Sequence, residues 1–236
     1  MMKFIVCFII LLASINLGAT EKDNALNVSY SAFTRYSKEQ AVPEQEMYVL
    51  SINGEKSFFA KMNDGNFETH HYMIFKNYPQ SGEVSLKDEC AYFYKCYYTE
   101  PIPNFDWQMI DGDSLVCGYH CQKAKVTYRK RTWIVWYSLD LPYSDGPWKL
   151  SGLPGLILKA QDVDGDFSFT AFKVQTENMP KVSFSFRGYA KVTPRKYEDL
   201  YCSKFEVSGI FIEVDGQKKP LESQIPCLLE YLDETK

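Results

Sequence analysis

Histidine is scarce in this chain: His70, His71 and His120 are the three it has. No Gly-x-Ser-x-Gly, no His-Glu-x-x-His and no phosphate-cradling glycine loop occurs. The motif-bearing serine hydrolases, zinc peptidases and nucleotide-dependent enzymes are thereby set aside, and no cofactor is expected. There is no excess of positive charge. The 26 Lys and Arg fall to 25 once Lys3 is set aside with the N-terminal segment, against 30 Asp and Glu. That balance gives no electrostatic case for nucleic acid. There is no Pro/Gly/Ser linker and no internal repeat, so residues 20–236 read as one domain. After residue 12 no apolar run approaches the roughly 20 residues that span a bilayer, so no integral membrane segment is expected there.

The first residues have the pattern of an export signal. Lys3 supplies the positive start, Phe4 to Leu12 is an apolar run, and Leu17-Gly18-Ala19 ends on a small residue. Residues 1–19 are expected to be a signal peptide, cut after Ala19. Six cysteines follow: Cys90, Cys96, Cys117, Cys121, Cys202 and Cys227. An even count in an oxidising compartment makes all six disulfide candidates, with pairing expected between neighbouring strands. On one straight strand Cys117 and Cys121 would lie about 13 Å apart, beyond the roughly 7 Å of bridged Cα atoms. They pair only if Gly118 turns the chain.

Aromatic residues are abundant, 17 Tyr and 16 Phe, and suit a pleated surface. Strand-like runs dominate. Ala25–Arg35 and Glu46–Ile52 come first, then Asn53-Gly54 as a hairpin turn before Lys56–Met62. Phe67–Lys76, Ala91–Tyr98, Phe105–Ile110 and a long alternating run, Ser114–Tyr128, follow. Thr132–Ser138 alternates strictly. Gly155–Gln161 and Phe167–Gln175 form a hairpin around Asp164-Gly165, and Val182–Arg187 is a short strand. Pro194–Phe205 is the best helix, with Tyr197, Leu200 and Tyr201 at helical spacing. The expected fold is mainly β: one large curved antiparallel sheet, a bowl, half-barrel or sandwich, with one or two short helices.

Three local motifs are weak. Gly112-Asp113-Ser114-Leu115 spells an esterase signature, but no Asp-x-x-His follows, so a tight turn at Asp111-Gly112 is the expectation. Asp162 to Asp166 resembles the start of a calcium loop. It lacks the Gly at position six and the Glu at position twelve, and reads as an acidic turn. His70 and His71 are adjacent and would point to opposite faces of a strand, so no metal site is expected.

The most distinctive stretch is Tyr119–Asp162. It contains Cys121-Gln122-Lys123-Ala124, Trp136-Tyr137, Leu141-Pro142, Gly146-Pro147-Trp148-Lys149 and Gly152-Leu153-Pro154-Gly155-Leu156-Ile157 in order. Together with Ser57-Phe58-Phe59 this resembles the GLPGLI family, named for that hexapeptide. The resemblance implies an exported protein of Gram-negative bacteria, usually without established activity. It also implies distant similarity to the bowl-like N-terminal domain of some bacterial glycan-releasing amidases. It brings no catalytic residues.

Leu153-Pro154-Gly155-Leu156 fits a type II turn, with Pro fixing φ and Gly supplying positive φ. Two turns then bracket Trp148, either as a structural corner or as the lip of a cleft. The candidate binding residues are Trp133, Trp136, Trp148, Lys149 and Pro154. The leading reading is an exported binding or accessory module of the envelope, periplasmic or at the surface. Its ligand would be a peptide or glycan, handled with an outer-membrane uptake partner. The rivals are an enzyme using carboxylates, or Cys121 with His120, and a purely structural envelope protein.

Overall fold

The computed structural model describes residues 24–68, 71–90, 94–178, 182–205, 211–214, 217–220, 224 and 226–230. The signal-peptide segment and His70 lie outside them. The strands are β1 (Asn24–Thr34), β2 (Glu44–Asn53), β3 (Lys56–Asn63), β4 (Asn66–Phe67), β5 (Met73–Lys76), β6 (Glu83–Cys90), β7 (Tyr94–Pro101), β8 (Gln108–Val116), β9 (Tyr119–Tyr128), β10 (Arg131–Ser138), β11 (Leu156–Asp162), β12 (Phe167–Asn178) and β13 (Ala190–Lys191). One helix, α1 (Pro194–Cys202), precedes a small hairpin, β14 (Phe211–Val214) and β15 (Gln217–Pro220).

Thirteen strands form one sheet in the order β13-β7-β6-β5-β3-β2-β1-β12-β11-β10-β9-β8, with β4 beside β3. Pairing is antiparallel except between β13 and β7. Seven strands separate β7 from β10, yet Arg129, in the turn before β10, pairs with Glu100 of β7. The sheet is therefore curled, as expected. Its concave face holds the main core, with Tyr30, Tyr48, Phe59, Trp133 and Phe169 fully or almost fully buried. The hydroxyl of Tyr30 donates to the carbonyl of Ile157 (2.7 Å), so even this buried phenol is satisfied. On the outer face Phe58 and Phe75 are covered by Phe184 and Phe186. That covering segment, 182–186, was expected to be a strand. It is irregular, and serves as a lid of aromatic side chains.

Several local expectations need correction. Ser114–Tyr128 is two strands, β8 and β9, joined at Cys117-Gly118, both with positive φ (51° and 83°). Asp111-Gly112 is a bulge inside β8 and not a turn, because the register shifts between Ile110 and Ser114. Phe67–Lys76 breaks into β4 and β5. The β6 strand was not anticipated. The helix ends at Cys202; Thr193 caps it by accepting from the Lys196 amide (3.1 Å), with Pro194 at its first position.

The Leu153-Pro154-Gly155-Leu156 corner is not a type II turn. Gly155 has no positive φ; Gly152 does, at 91°. Gly155 is required by proximity: a Cβ there would sit 2.1 Å from the Ser138 carbonyl oxygen. Gly155→Ala should therefore force β10 and the corner apart and cost about 2–3 kcal/mol. Chemical denaturation checks this, and a loss below about 0.5 kcal/mol would contradict the packing account.

Candidate functional site

The connection 139–155 between β10 and β11 folds back over the concave face. It is held there by Lys76, a buried lysine on β5. Its ammonium pairs with Asp145 and donates to the carbonyls of Gly146 (2.8 Å) and Leu150 (3.0 Å). Trp107 adds a hydrogen bond from its indole nitrogen to the Ser151 carbonyl (2.9 Å). Neither residue stood out in the sequence.

This placement separates the five candidate binding residues. Trp148 adopts positive φ (53°), which turns its side chain inward, and it is 1 % exposed. It stacks on Trp133 with ring centres 5.7 Å apart, and Trp133 is itself wholly buried. Of the two readings of this corner, Trp148 is packed as in the structural one: burying two indoles in one stack outweighs leaving either in water. Lys149 is also wholly buried. Its ammonium donates to Tyr98 Oη (2.8 Å) and Glu100 Oε1 (2.5 Å) and pairs with Glu230. Arg129 closes the ring through Glu100 (2.6 Å) and Glu230 (2.5 Å). Trp136 lies half-buried on the outer face, between the ammoniums of Lys123 (5.2 Å) and Lys159 (4.5 Å). Pro154 is exposed at the corner. Trp148 alone of the five lines the cavity described next.

Between the concave face, α1 and the segment 226–230 lies a largely apolar cavity of about 60 Å³. Its walls include Tyr36, Tyr72, Tyr98, Trp148, Tyr197 and Tyr201. Tyr197 and Tyr201 stand four apart on one helix face, so a single helix supplies two adjacent rings. Tyr36, Tyr72 and Tyr201 also wall a second chamber of about 220 Å³ with His71, Asp88, Lys204 and Phe205. These residues come from six separate stretches of chain. The helical spacing of the α1 tyrosines and the candidate Trp148 were the sequence signals for them.

Two walls of this chamber, Tyr36 and His71, belong to a hydrogen-bonded chain. Tyr36 Oη lies 2.6 Å from Glu46 Oε1 and 2.8 Å from His71 Nε2. Lys61 Nζ is 2.6 Å from the same Glu46 oxygen, and Tyr48 donates to the other (3.1 Å). Burial works against the Glu46 charge, but the hydrogen bonds from Lys61 and Tyr36 outweigh it and hold the carboxyl below its ordinary range. Burial raises the carboxyl of Asp88, which accepts from Tyr197 (2.8 Å). Burial also lowers His71 to about 4, so its imidazole is neutral near pH 7.

That shift has a pH consequence. The unfolded chain takes up a proton on His71 near pH 6.5 and the folded chain does so near 4. The stability carried by neutral His71 is thus complete above pH 6.5 and is lost as pH falls through that window. At about 1.4 kcal/mol per pH unit the loss reaches at most about 3 kcal/mol. Urea unfolding should show a steeper decline from pH 6.5 to 4.5 for the unaltered chain than for His71→Gln. Parallel profiles would contradict it.

Two other candidate chemistries lie among the described residues, an acidic cluster and the Cys121–His120 pair. Asp162, Asp164 and Asp166 bring carboxylate oxygens within 4.8 Å of one another. The buried Arg131 guanidinium occupies the space between them, pairing with Asp162 and Asp166. Cys121 is buried, and burial pushes its thiol up to about 11, the opposite of an activated nucleophile. His120 is exposed and its neighbour Cys121 is buried, yet both line a surface hollow of about 290 Å³ with Asp113 and Asp140. The expected disulfides are not formed in this structure. Cys90 and Cys96 come together across the β6–β7 hairpin, with sulfurs 2.8 Å apart.

The architecture is thus that of a curled antiparallel sheet enclosing an aromatic cavity, and the comparisons bear on that sheet. Residues 89–159 match the model of a family described as "Protein of unknown function (Porph_ging)". No curated protein sequence matches the chain. Among solved structures, PNGF-II in space group C2 is similar with a TM-score of 0.57 at 18% identity, covering 80% of this chain and 34% of that one. The P21 form gives 0.58 at the same identity and coverage. This chain therefore spans about a third of PNGF-II, and the likeness shows a shared fold. MucB in complex with MucA(peri) gives a TM-score of 0.35 at 11% identity, covering 68% of this chain and 53% of that one. That score is too low to carry a fold argument.

Proposed function

We propose that this protein is an exported, non-catalytic binding module of the bacterial cell envelope, and that it holds a small amphipathic ligand in the cavity beneath α1. The observation that carries the reading is the cavity itself: an aromatic hollow on a curved sheet, beside a second chamber that shares Tyr36, Tyr72 and Tyr201 as walls. The GLPGLI resemblance of Tyr119–Asp162 and the signal-like residues 1–19 support export. The facing thiols of Cys90 and Cys96 are the pair that an oxidising compartment would join first. The buried, unactivated Cys121 gives no support to the thiol-enzyme alternative.

The test is to produce the full sequence in a Gram-negative host and analyse the envelope fraction by mass spectrometry. A chain beginning at Thr20 with a stoichiometric co-purified small molecule is the expected result. Leu229→Trp, which fills the cavity from the partly buried Leu229 at its wall, should deplete that molecule tenfold or more without lowering thermal stability. Equal retention by both proteins would sink the cavity reading, and an intact Met1 on the folded protein would sink export.

A further inference from the structure

We propose that the outer face of the sheet around Trp136 binds an acidic glycan, a chain of sugars that carries carboxylates. The proposal does not depend on the cavity, which lies on the opposite, concave face.

Strand register orders this face. Trp136 of β10 stands directly between Lys123 of β9 and Lys159 of β11. Its neighbours Val135 and Tyr137 are buried on the concave side, so alternation sends the indole outward. The ammoniums of Lys123 and Lys159 both lie against this one ring, 5.2 and 4.5 Å from its centre. Two residues along the strands, Ile134 is flanked in the same way by Lys125 and Gln161. The two rows then continue onto β12, β1 and β2, the first through Thr170 and Ser31, the second through Ser168.

From β8 to β2 no Asp or Glu stands in either row, in a chain that has 30 of them. Lys123, Lys125 and Lys159 have no carboxylate partner among the described residues, and Asp111 and Asp113, in the adjacent bulge of β8, do not pair with them. The buried cations Lys76, Arg131 and Lys149 are each matched by an acid. Two like charges drawn to one ring with no anion beside them repel, and a ligand carboxylate relieves that repulsion. Trp136 is the positioning residue that brings the two ammoniums together. The neighbouring side chains select the kind of acid. Thr170, Ser31, Ser168 and Gln161 are short hydrogen-bonding groups spread over a shallow surface, which suits the many hydroxyls of an extended sugar chain. An acidic peptide brings carboxylates but few groups for those side chains. A bilayer would need apolar side chains protruding among the cations, whereas Trp136 and Ile134 are both partly buried.

The test is calorimetry on the full chain with tetragalacturonate and tetramannuronate, and, for comparison, with fully methyl-esterified tetragalacturonate, tetraglutamate and phosphatidylglycerol vesicles. At least one acidic sugar should bind tenfold or more tightly than the ester and the peptide, and less tightly as salt rises. The vesicles should not bind. Lys123→Gln with Lys159→Gln should lower the affinity at least tenfold, whereas Lys56→Gln with Arg195→Gln, which removes the same charge elsewhere, should keep it. Trp136→Leu should weaken binding with both lysines intact, and Trp136→Phe, which retains a ring, should recover most of it. On the unaltered chain the indole N–H signal of Trp136 should move when the sugar is added, a readout that needs no variant to fold. Binding of neither sugar, equal binding of the ester or of tetraglutamate, binding of the vesicles alone, or undiminished binding by the double lysine variant would each overturn the proposal and leave the cavity reading where it stands. Leu229→Trp should bind the sugar as the unaltered chain does; a loss there would place the sugar in the cavity and overturn the outer-face site.

Discussion

Arg131→Met is expected to destabilise the protein by about 3–5 kcal/mol, because it leaves the buried Asp162 carboxylate without a cation and Asp166 with the partly exposed Lys38 as its nearest one. The side chain is wholly buried, as is that of Asp162, and that of Asp166 is 1 % exposed. One guanidinium serves several groups. It pairs with Asp162, reaches Asp166 Oδ2 at 3.3 Å from both terminal nitrogens, and donates from Nε to the Leu228 carbonyl (2.8 Å). It also lies over the Phe167 ring at 4.8 Å. After substitution, Lys38 at 2.6 Å from Asp166 is the closest remaining cation, and it is partly exposed. A loss of this size is a large share of the roughly 5–15 kcal/mol that holds an ordinary domain folded.

A second readout makes this result specific. With the guanidinium gone, three carboxylates within 4.8 Å of one another become an oxygen site suited to calcium. Millimolar calcium should raise the melting temperature of Arg131→Met by several degrees and leave the unaltered chain unmoved. A variant within about 1 kcal/mol of the original, or identical calcium responses, would show that the cluster does not depend on Arg131. The C-terminal segment should also become more sensitive to protease, since the Leu228 carbonyl loses its donor. The calcium-like spacing of Asp162, Asp164 and Asp166 was visible in the sequence. The ion that fills it is an arginine from the preceding strand.

Period-two patterning identified the sheet well where strands are half-buried. Thr132–Ser138 alternates in sequence and in burial, and the Asn53-Gly54 hairpin forms one residue later than its signal, with Gly54-Glu55 as the loop between Asn53 and Lys56. The same patterning concealed the β8–β9 turn. A two-residue hairpin preserves parity, so the alternation of Ser114–Tyr128 runs through Cys117-Gly118 without a break. The GLPGLI corner was legible as a corner but not in its cause. Gly155 is needed for a backbone approach across the chain, and local turn propensities do not register such contacts. The cavity was largely illegible. Tyr36, His71, Tyr98, Trp148, Tyr201 and Glu230 meet because the sheet curls, and curvature leaves no spacing rule between residues so far apart. Lys149 is a candidate binding residue by sequence and a buried pin in the structure, and the partner that would signal this, Glu230, lies 81 residues away.

Lys149→Met is the second substitution expected to cost about 3–5 kcal/mol. The ring of Lys149, Arg129, Glu100 and Glu230 ties four pieces together: the β10–β11 connection, the β9–β10 turn, β7 and the C-terminal segment. Two cations balance two anions. Removing one cation leaves Arg129 to share two carboxylates whose side chains are 10 % and 13 % exposed. Burial alone would raise Glu100, but the charge of Lys149 and the hydrogen bonds from Arg129 and Lys149 hold it below its ordinary range. Its contribution is therefore present above about pH 4.5 and is lost as pH falls through the depressed folded value. The variant should show less of this acid-side loss. Because the ring is out of water, 1 M salt should change its worth little, unlike an exposed pair such as Arg195 and Glu198. A double-mutant cycle with Glu230→Gln separates the ring from the packing of the lysine stem. A coupling energy of about 1–3 kcal/mol is expected, and one near zero would reduce Lys149 to a packed side chain. Glu230 and Trp148 also line the cavity, so the same ring sets the position of two of its walls. Loosening it should weaken binding of any occupant along with the fold, whereas Leu229→Trp should abolish binding and spare stability.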